Sequence, residues 1–255
     1  MNNKAKEFNA NRKIWNENWK EIADYSTNSA GNLWAFYLIR KVLRGITISN
    51  DGCIIDVGCG MGNKSAVLAK EYPNNKVYGI DFAKEGINFA KSYYGKISNV
   101  EFHCGDAREL DLNENIELIT AFELIEHIED WKRLLADFCR LTNKYILIST
   151  PTGRMRAYEK DIGHYRNFKK GEIEMFMEEQ GFQIVKTLYA GFPFWSPITR
   201  DITNIRSRWM SPDDSLSKEI VVTYNPIIHK ITYFLYKYMS FDSIGDQFMG
   251  LFKKN

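Results

Sequence analysis

The sequence predicts an α/β fold: a seven-stranded, mostly parallel sheet with an antiparallel last strand, N-terminal helices and a helical insertion before that strand. Three observations lead there. From residue 52 onward, short apolar runs alternate with amphipathic segments. The first run ends in a glycine-rich turn, and the chain closes on two strand-like segments separated by an insertion. A chain of 255 residues that is 44% hydrophobic can bury one full-sized core.

The elements follow in order. Residues 1–50 read as an N-terminal helical segment, with Ile39, Val42, Leu43 and Ile46 spaced along one helix face. A core over 51–190 comes next, with apolar runs at 53–57, 76–80, 100–104, 116–121 and 145–150. Helices over 63–72 and 83–94 lie between the first three runs, and Trp131, Leu134, Leu135 and Phe138 repeat the helical spacing after the fourth. Strand and helix in alternation require right-handed crossovers, hence a parallel sheet covered on both faces. A loop over 151–168 leads to a helix ending at Gly181, placed as its left-handed cap, and 182–190 reads as the sixth strand. Residues 191–243, punctuated by Pro193, Pro197, Pro212 and Pro226, read as a helical lid over the carboxyl edge, with a helix from 227 to 240. Residues 244–255 supply the final strand, 246–253, antiparallel between the fifth and sixth.

Composition narrows the classes of function. A net charge of +2 with 26% charged residues exerts no global pull toward nucleic acid or membrane, so no stable nucleic-acid partner is expected. Cys53, Cys59, Cys104 and Cys139 form no CxxC pair and read as reduced thiols. The polar start, MNNKAKEFNANRK, lacks the apolar run of a signal peptide, and 227–241 is interrupted by His229, Lys230 and Lys237. A cytoplasmic protein without a transmembrane segment is expected; its oligomeric state is not written in these patterns.

Ile54-Ile-Asp-Val-Gly-Cys-Gly-Met-Gly62 is a buried strand running into a glycine turn that opens a helix. Gly58, Gly60 and Gly62 let a ligand lie against bare backbone, and the helix start offers N–H groups to an anion. The third glycine comes one residue earlier than in the dinucleotide pattern GxGxxG, and Asn63 follows it. With Asp56 inside the strand end, the loop suits a zwitterionic amino-acid tail better than a pyrophosphate. Asp81 ends the second run, and Asp106 follows the third. Singly, each aspartate reads as a turn or helix cap. Together they mark the edge where open α/β sheets bind ligands.

On these motifs the sequence resembles the class I S-adenosylmethionine-dependent methyltransferases, which have a Rossmann-like fold. The residues that carry the likeness are DVGCGMG, GIDFAKEGINFAK, CGDA, the fourth run into Phe122-Glu-Leu-Ile-Glu-His-Ile, and the Gly-Phe start of the sixth strand. The resemblance spans roughly 50–190 and the final strand. It implies S-adenosylmethionine as cofactor: methionine tail on Asp56, Gly58, Cys59, Gly60 and Gly62, ribose on Asp81, adenine near Asp106 and Ala107, with Phe82 and Phe122 alongside.

Glu123, Glu126 and His127 form a second constellation. On a helix, Glu123 would share a face with the other two. Two carboxylates and an imidazole suit Mg²⁺, Mn²⁺ or Fe²⁺. The E-x-x-E-H spacing also resembles that of ubiquinone-biosynthesis O-methyltransferases and of small-RNA 3′-terminal 2′-O-methyltransferases, where it binds a divalent ion. The RNA enzymes add a later histidine, and His164 stands at a comparable place. The likeness implies a metal set of Glu123, Glu126, His127 and His164. Without metal, His127 would close a hydrogen-bond network, and either histidine would serve as general base.

Arg154, Arg156, Lys160 and Arg166 in the 151–168 loop, with Arg200, Arg206 and Arg208 in the insertion, read either as grips for an anionic acceptor or as a solvated basic surface. The stripe of Ile227, Ile231, Phe234 and Tyr238, with Lys230 and Lys237, is expected to pack on its own protein; the alternatives are a lipid-like pocket or a membrane surface. The leading reading is O-methylation of a small-molecule hydroxyl, such as a sugar or catechol. RNA 2′-O-methylation is disfavoured by the near-neutral charge, a non-catalytic nucleotide-binding module by the full set of cofactor residues, and an NAD(P) dehydrogenase by Asn63 and the antiparallel last strand.

Overall fold

The computed structural model describes residues 28–106, 114–209 and 225–255. Its strands are β1 (Gly52–Val57), β2 (Val77–Asp81), β3 (Val100–Cys104), β4 (Asn115–Phe122), β5 (Tyr145–Pro151), β6 (Phe182–Ala190) and β7 (Gln247–Lys254). Its helices are α1 (Ala30–Leu43), α2 (Asn63–Glu71), α3 (Lys84–Tyr94), α4 (Trp131–Leu141), α5 (Ala157–Asp161), α6 (Glu172–Glu179), α7 (Arg200–Ser207) and α8 (Pro226–Tyr238).

One seven-stranded sheet runs in the order β3-β2-β1-β4-β5-β7-β6. β1 to β5 are mutually parallel, and β7 pairs antiparallel with both β5 and β6. β1 and β5 are buried along their whole length, and both read as mostly apolar runs, interrupted by Asp56 in β1 and by Ser149 and Thr150 in β5. β7 is apolar because it is interior: Met249 faces Ser149 on one side and Leu188 on the other. Helices cover both faces. Trp34, Leu38, Leu68 and Ile87 lie in one core layer, and Trp131, Leu135, Phe138 and Met177 in the other.

The antiparallel last strand and the inserted helices agree with expectation. Gly181 has φ 82° just past α6, as a helix cap requires. Three local expectations need correction. The 151–168 segment is not all loop, since α5 forms within it. Ile46 lies beyond the end of α1, in a turn that still packs on the core. The stripe on α8 does not pack inward: Ile227, Ile231, Phe234 and Tyr238 are all more than half exposed. The packing face of α8 instead carries Tyr236, whose ring lies 5.5 Å from Trp34 and 5.6 Å from Trp195. That aromatic cluster joins α1, the turn at Phe194–Thr199 and α8. Among the described residues, no helix is long and apolar enough to cross a membrane.

Candidate active site

A cavity of about 470 Å³ opens at the carboxyl ends of the parallel strands, within the range of small-molecule sites. Trp195 and Arg200 of the insertion help to line it, so part of the insertion stands over this edge.

The glycine loop forms the floor. Gly58 and Gly62 have φ 69° and 78°, and a Cβ at Gly62 would lie 2.5 Å from the Phe102 ring. The N–H groups of Gly58 and Cys59 both donate to Ile80 O, Gly60 N donates to Asp81 Oδ2 at 2.9 Å, and Gly62 N donates to Cys59 O. The loop is therefore strapped to the end of β2, and these four N–H groups already have partners within the protein.

Asp81 lines the cavity, its Oδ1 accepting from Ala83 N at 2.8 Å. Burial pushes its carboxyl upward, opposed by the N–H bonds from Ala83 and Gly60. Gly58, Cys59, Gly60, Phe82, Asp106 and Phe122 line the same space. Asp56 does not. It lies behind the loop, 1% exposed, where Ser65 Oγ donates to one oxygen at 2.6 Å and Thr120 Oγ1 to the other at 2.7 Å. Burial raises its pKa to about 6 against those bonds. Its side chain braces the loop and does not line the cavity, where a direct ligand contact was expected. Gly62 is likewise a packing residue outside the lining, and Ala107 lies outside the described residues.

The opposite wall begins at Glu123, whose φ of 53° is left-handed. A residue in that conformation cannot continue a helix, so the expected shared helical face does not form. Only a single 3₁₀ turn, Ile125–His127, follows. Glu123 Oε1 accepts from Ser149 Oγ at 2.7 Å and Gln247 Nε2 at 2.8 Å. Glu126 is fully buried; Thr150 Oγ1 donates to its Oε2 at 2.9 Å, while Oε1 has no partner among the described residues. Burial, and then the charge of Glu123, hold its carboxyl well above the usual range.

His127 Nδ1 lies 3.1 Å from Gly163 O. A carbonyl only accepts, so Nδ1 carries the proton and Nε2 of the neutral ring keeps its lone pair. Burial, reinforced by His164, lowers the His127 pKa to about 3, and burial lowers that of His164 as well. Ligand atoms of Glu126, His127 and His164 lie within 4.8 Å of one another. Glu123 lines the same cavity but is not in that group, because Ser149 and Gln247 hold its carboxylate.

The expected anion grips are engaged elsewhere. Arg200, 2% exposed, donates to Glu159 Oε1 at 2.9 Å and to Asp246 Oδ2 at 3.1 Å. Arg156, 3% exposed, bonds Asp201 at 2.9 Å and Asp246 at 3.3 Å. Arg154 also bonds Asp201, and Arg166 donates to Glu129 O. Lys160, Arg206 and Arg208 are exposed. Both readings of the basic residues thus need correction for Arg156 and Arg200, which are internal ties between the insertion and the sheet edge. Conversely, Lys64, Trp195 and Gln247 line the cavity and were not singled out from the sequence. Only Lys64 had a local signal, two residues after the last loop glycine.

Comparison with known proteins agrees with this geometry. Residues 48–189 match a family described as "Methyltransferase domain". The chain is similar to the ubiquinone biosynthesis O-methyltransferase of Coxiella burnetii, at 25% identity over 230 residues, covering 81% of this chain and 91% of that protein. It is also similar to the malonyl-(acyl-carrier protein) O-methyltransferase of Acetivibrio thermocellus, 34% identical over 77 residues, covering 30% of this chain and 27% of that one. Among solved structures, coclaurine N-methyltransferase shares the fold with a TM-score of 0.56 at 17% identity, covering 86% of this chain and 72% of that chain. The cyclase SpnF shares it with a TM-score of 0.55 at 16% identity, covering 86% and 80%. One fold therefore carries different reactions.

Proposed function

The chain belongs to the methyltransferase domain family, is an S-adenosylmethionine-dependent enzyme of the Rossmann-like class, and we propose that its acceptor is a hydroxyl oxygen on a small molecule. The observation that carries this reading is one cavity lined both by Asp81 and by the Glu126, His127 and His164 cluster. The O-methyltransferases among its relatives support oxygen as the accepting atom.

In this reading residues 51–190 are the cofactor-binding core, 244–255 completes its sheet, and Asn32, Trp195 and Arg200 of the flanking segments line the acceptor's side of the cavity. Asp81 accepts from the ribose hydroxyls and Asp106 from the adenine amino group. Gly58, Cys59 and Gly60 form the floor under the methionine tail, with Phe82 and Phe122 as apolar walls.

The bound cofactor supplies a methyl group already activated as a sulfonium, which leaves alignment and proton removal to the protein. With cofactor and acceptor bound, an unprotonated imidazole nitrogen of His127 or His164 would take the proton that the acceptor hydroxyl gives up. Both rings are neutral near pH 7, because burial lowers both pKa values. Glu126 Oε1, buried with no partner among the described residues, together with the two imidazoles also fits a hard divalent ion such as Mg²⁺, Mn²⁺ or Fe²⁺. An ion held there would lower the pKa of the acceptor hydroxyl. Two adjacent hydroxyls, as in a catechol or sugar, suit such a site best. With Arg156 and Arg200 tied to acids, the cavity favours an uncharged acceptor over an anionic one.

The test is transfer of a labelled methyl group from S-adenosylmethionine to a panel of catechols, phenols, sugars and short RNAs. Labelling of catechols or sugars is expected; labelling of RNA alone, or of amines alone, would displace this reading.

A further inference from the structure

We propose that Lys64 is the anion subsite for the carboxylate of the cofactor's methionine tail, a contact that rests on the cofactor reading above. Lys64 is the second residue of α2, directly behind the glycine loop. It lines the main cavity and also an adjoining chamber of about 180 Å³ beside α1 and Trp195. Its Nζ stands 6.0 Å from the centre of the Phe122 ring, and among the described residues it makes no hydrogen bond or ion pair.

The charge around it creates the need. Asp81, Asp106, Glu123 and Glu126 all line the cavity. Their field suits a ligand carrying a sulfonium and an ammonium, and it repels that ligand's carboxylate. The only other lysine or arginine among the described lining residues is Arg200, buried and bonded to Glu159 and Asp246.

Glycine loops often meet an anion with backbone N–H groups, but here those of Gly58, Cys59, Gly60 and Gly62 all have partners within the protein. With those four N–H groups taken, a side-chain cation is the natural partner for the carboxylate, and a lysine's compact charge on a flexible stem can follow a carboxylate that has no fixed fork to match. Burial raises the carboxyls of Asp56 and Glu126, and the charge of Lys64 opposes both shifts as a minor contribution. A lysine serving only as their counter-ion would not distinguish ligands with and without a carboxylate.

Calorimetric titration separates the two roles. S-adenosylhomocysteine carries the amino-acid tail, and 5′-methylthioadenosine lacks it. Lys64→Met should weaken S-adenosylhomocysteine by about 10–100-fold, the range for a lost charge-assisted bond, while 5′-methylthioadenosine stays within about twofold. Unchanged S-adenosylhomocysteine affinity, or equal loss for both ligands, overturns the assignment. If the unaltered protein binds neither ligand, the cofactor reading fails and takes this one with it.

Discussion

The imidazoles of His127 and His164 meet edge to face, with ring centroids 4.5 Å apart. Thirty-seven positions separate them in the chain, and the loop carrying His164 is tied back by a bond from Tyr165 N to Glu126 O at 2.9 Å. Burial of the two rings favours the neutral form of each. The pair is thus kept in the form that accepts a proton or a metal ion.

That contact predicts a pH dependence of stability. The His127 pKa falls from 6.5 to about 3 on folding, so between those values the unfolded chain binds a proton that the folded one does not. The contribution of His127 is complete above pH 6.5 and is lost as pH falls. At pH 5 the loss is about 2 kcal/mol. Denaturant titrations at pH 7 and pH 5 should show His127→Gln losing less stability on acidification than the unaltered protein. Equal losses would show that His127 is not the group responsible.

Replacing Asp81 with Ala removes the carboxylate expected to receive the ribose hydroxyls, together with the acceptor that holds Gly60 N. Affinity for S-adenosylhomocysteine should fall by about tenfold or more. Undiminished binding in a calorimetric titration would move the ribose elsewhere.

Exhaustive chelation should abolish most turnover, with recovery on adding Mg²⁺, Mn²⁺ or Fe²⁺. Glu126→Gln should weaken that recovery, because Glu126 Oε1 is buried with no partner among the described residues. Full turnover in the metal-free protein would assign the two histidines to proton transfer alone.

Arg200→Met should lower stability by about 3–5 kcal/mol, since it strands the buried carboxylate of Glu159 without its cation. Thermal denaturation reads this directly. A change below about 1 kcal/mol would mean that Asn167 and the Arg156 N–H, which also bond Glu159, suffice to hold it.

What the sequence by itself determined is what neighbouring residues encode. Apolar runs of strand length, helical spacing and the glycine turn each report on a stretch of about ten residues, and they led to the parallel core, the inserted helices and an interior last strand. Asp81 was legible for the same reason, as an acid closing a strand at the ligand edge. Tertiary structure alone decided where charges point. Asp56 has the same local pattern as a ligand-binding acid, yet Thr120 on the neighbouring strand draws it inward. Glu123 has helical spacing to Glu126 and His127, yet Ser149 and Gln247 hold its carboxylate beside a left-handed backbone. Arg200 looked free until Glu159 and Asp246, 41 and 46 positions away, closed on it. Hydrophobic period is a property of one element, whereas the partner of a buried charge depends on how distant elements pack, and one element's pattern does not record that.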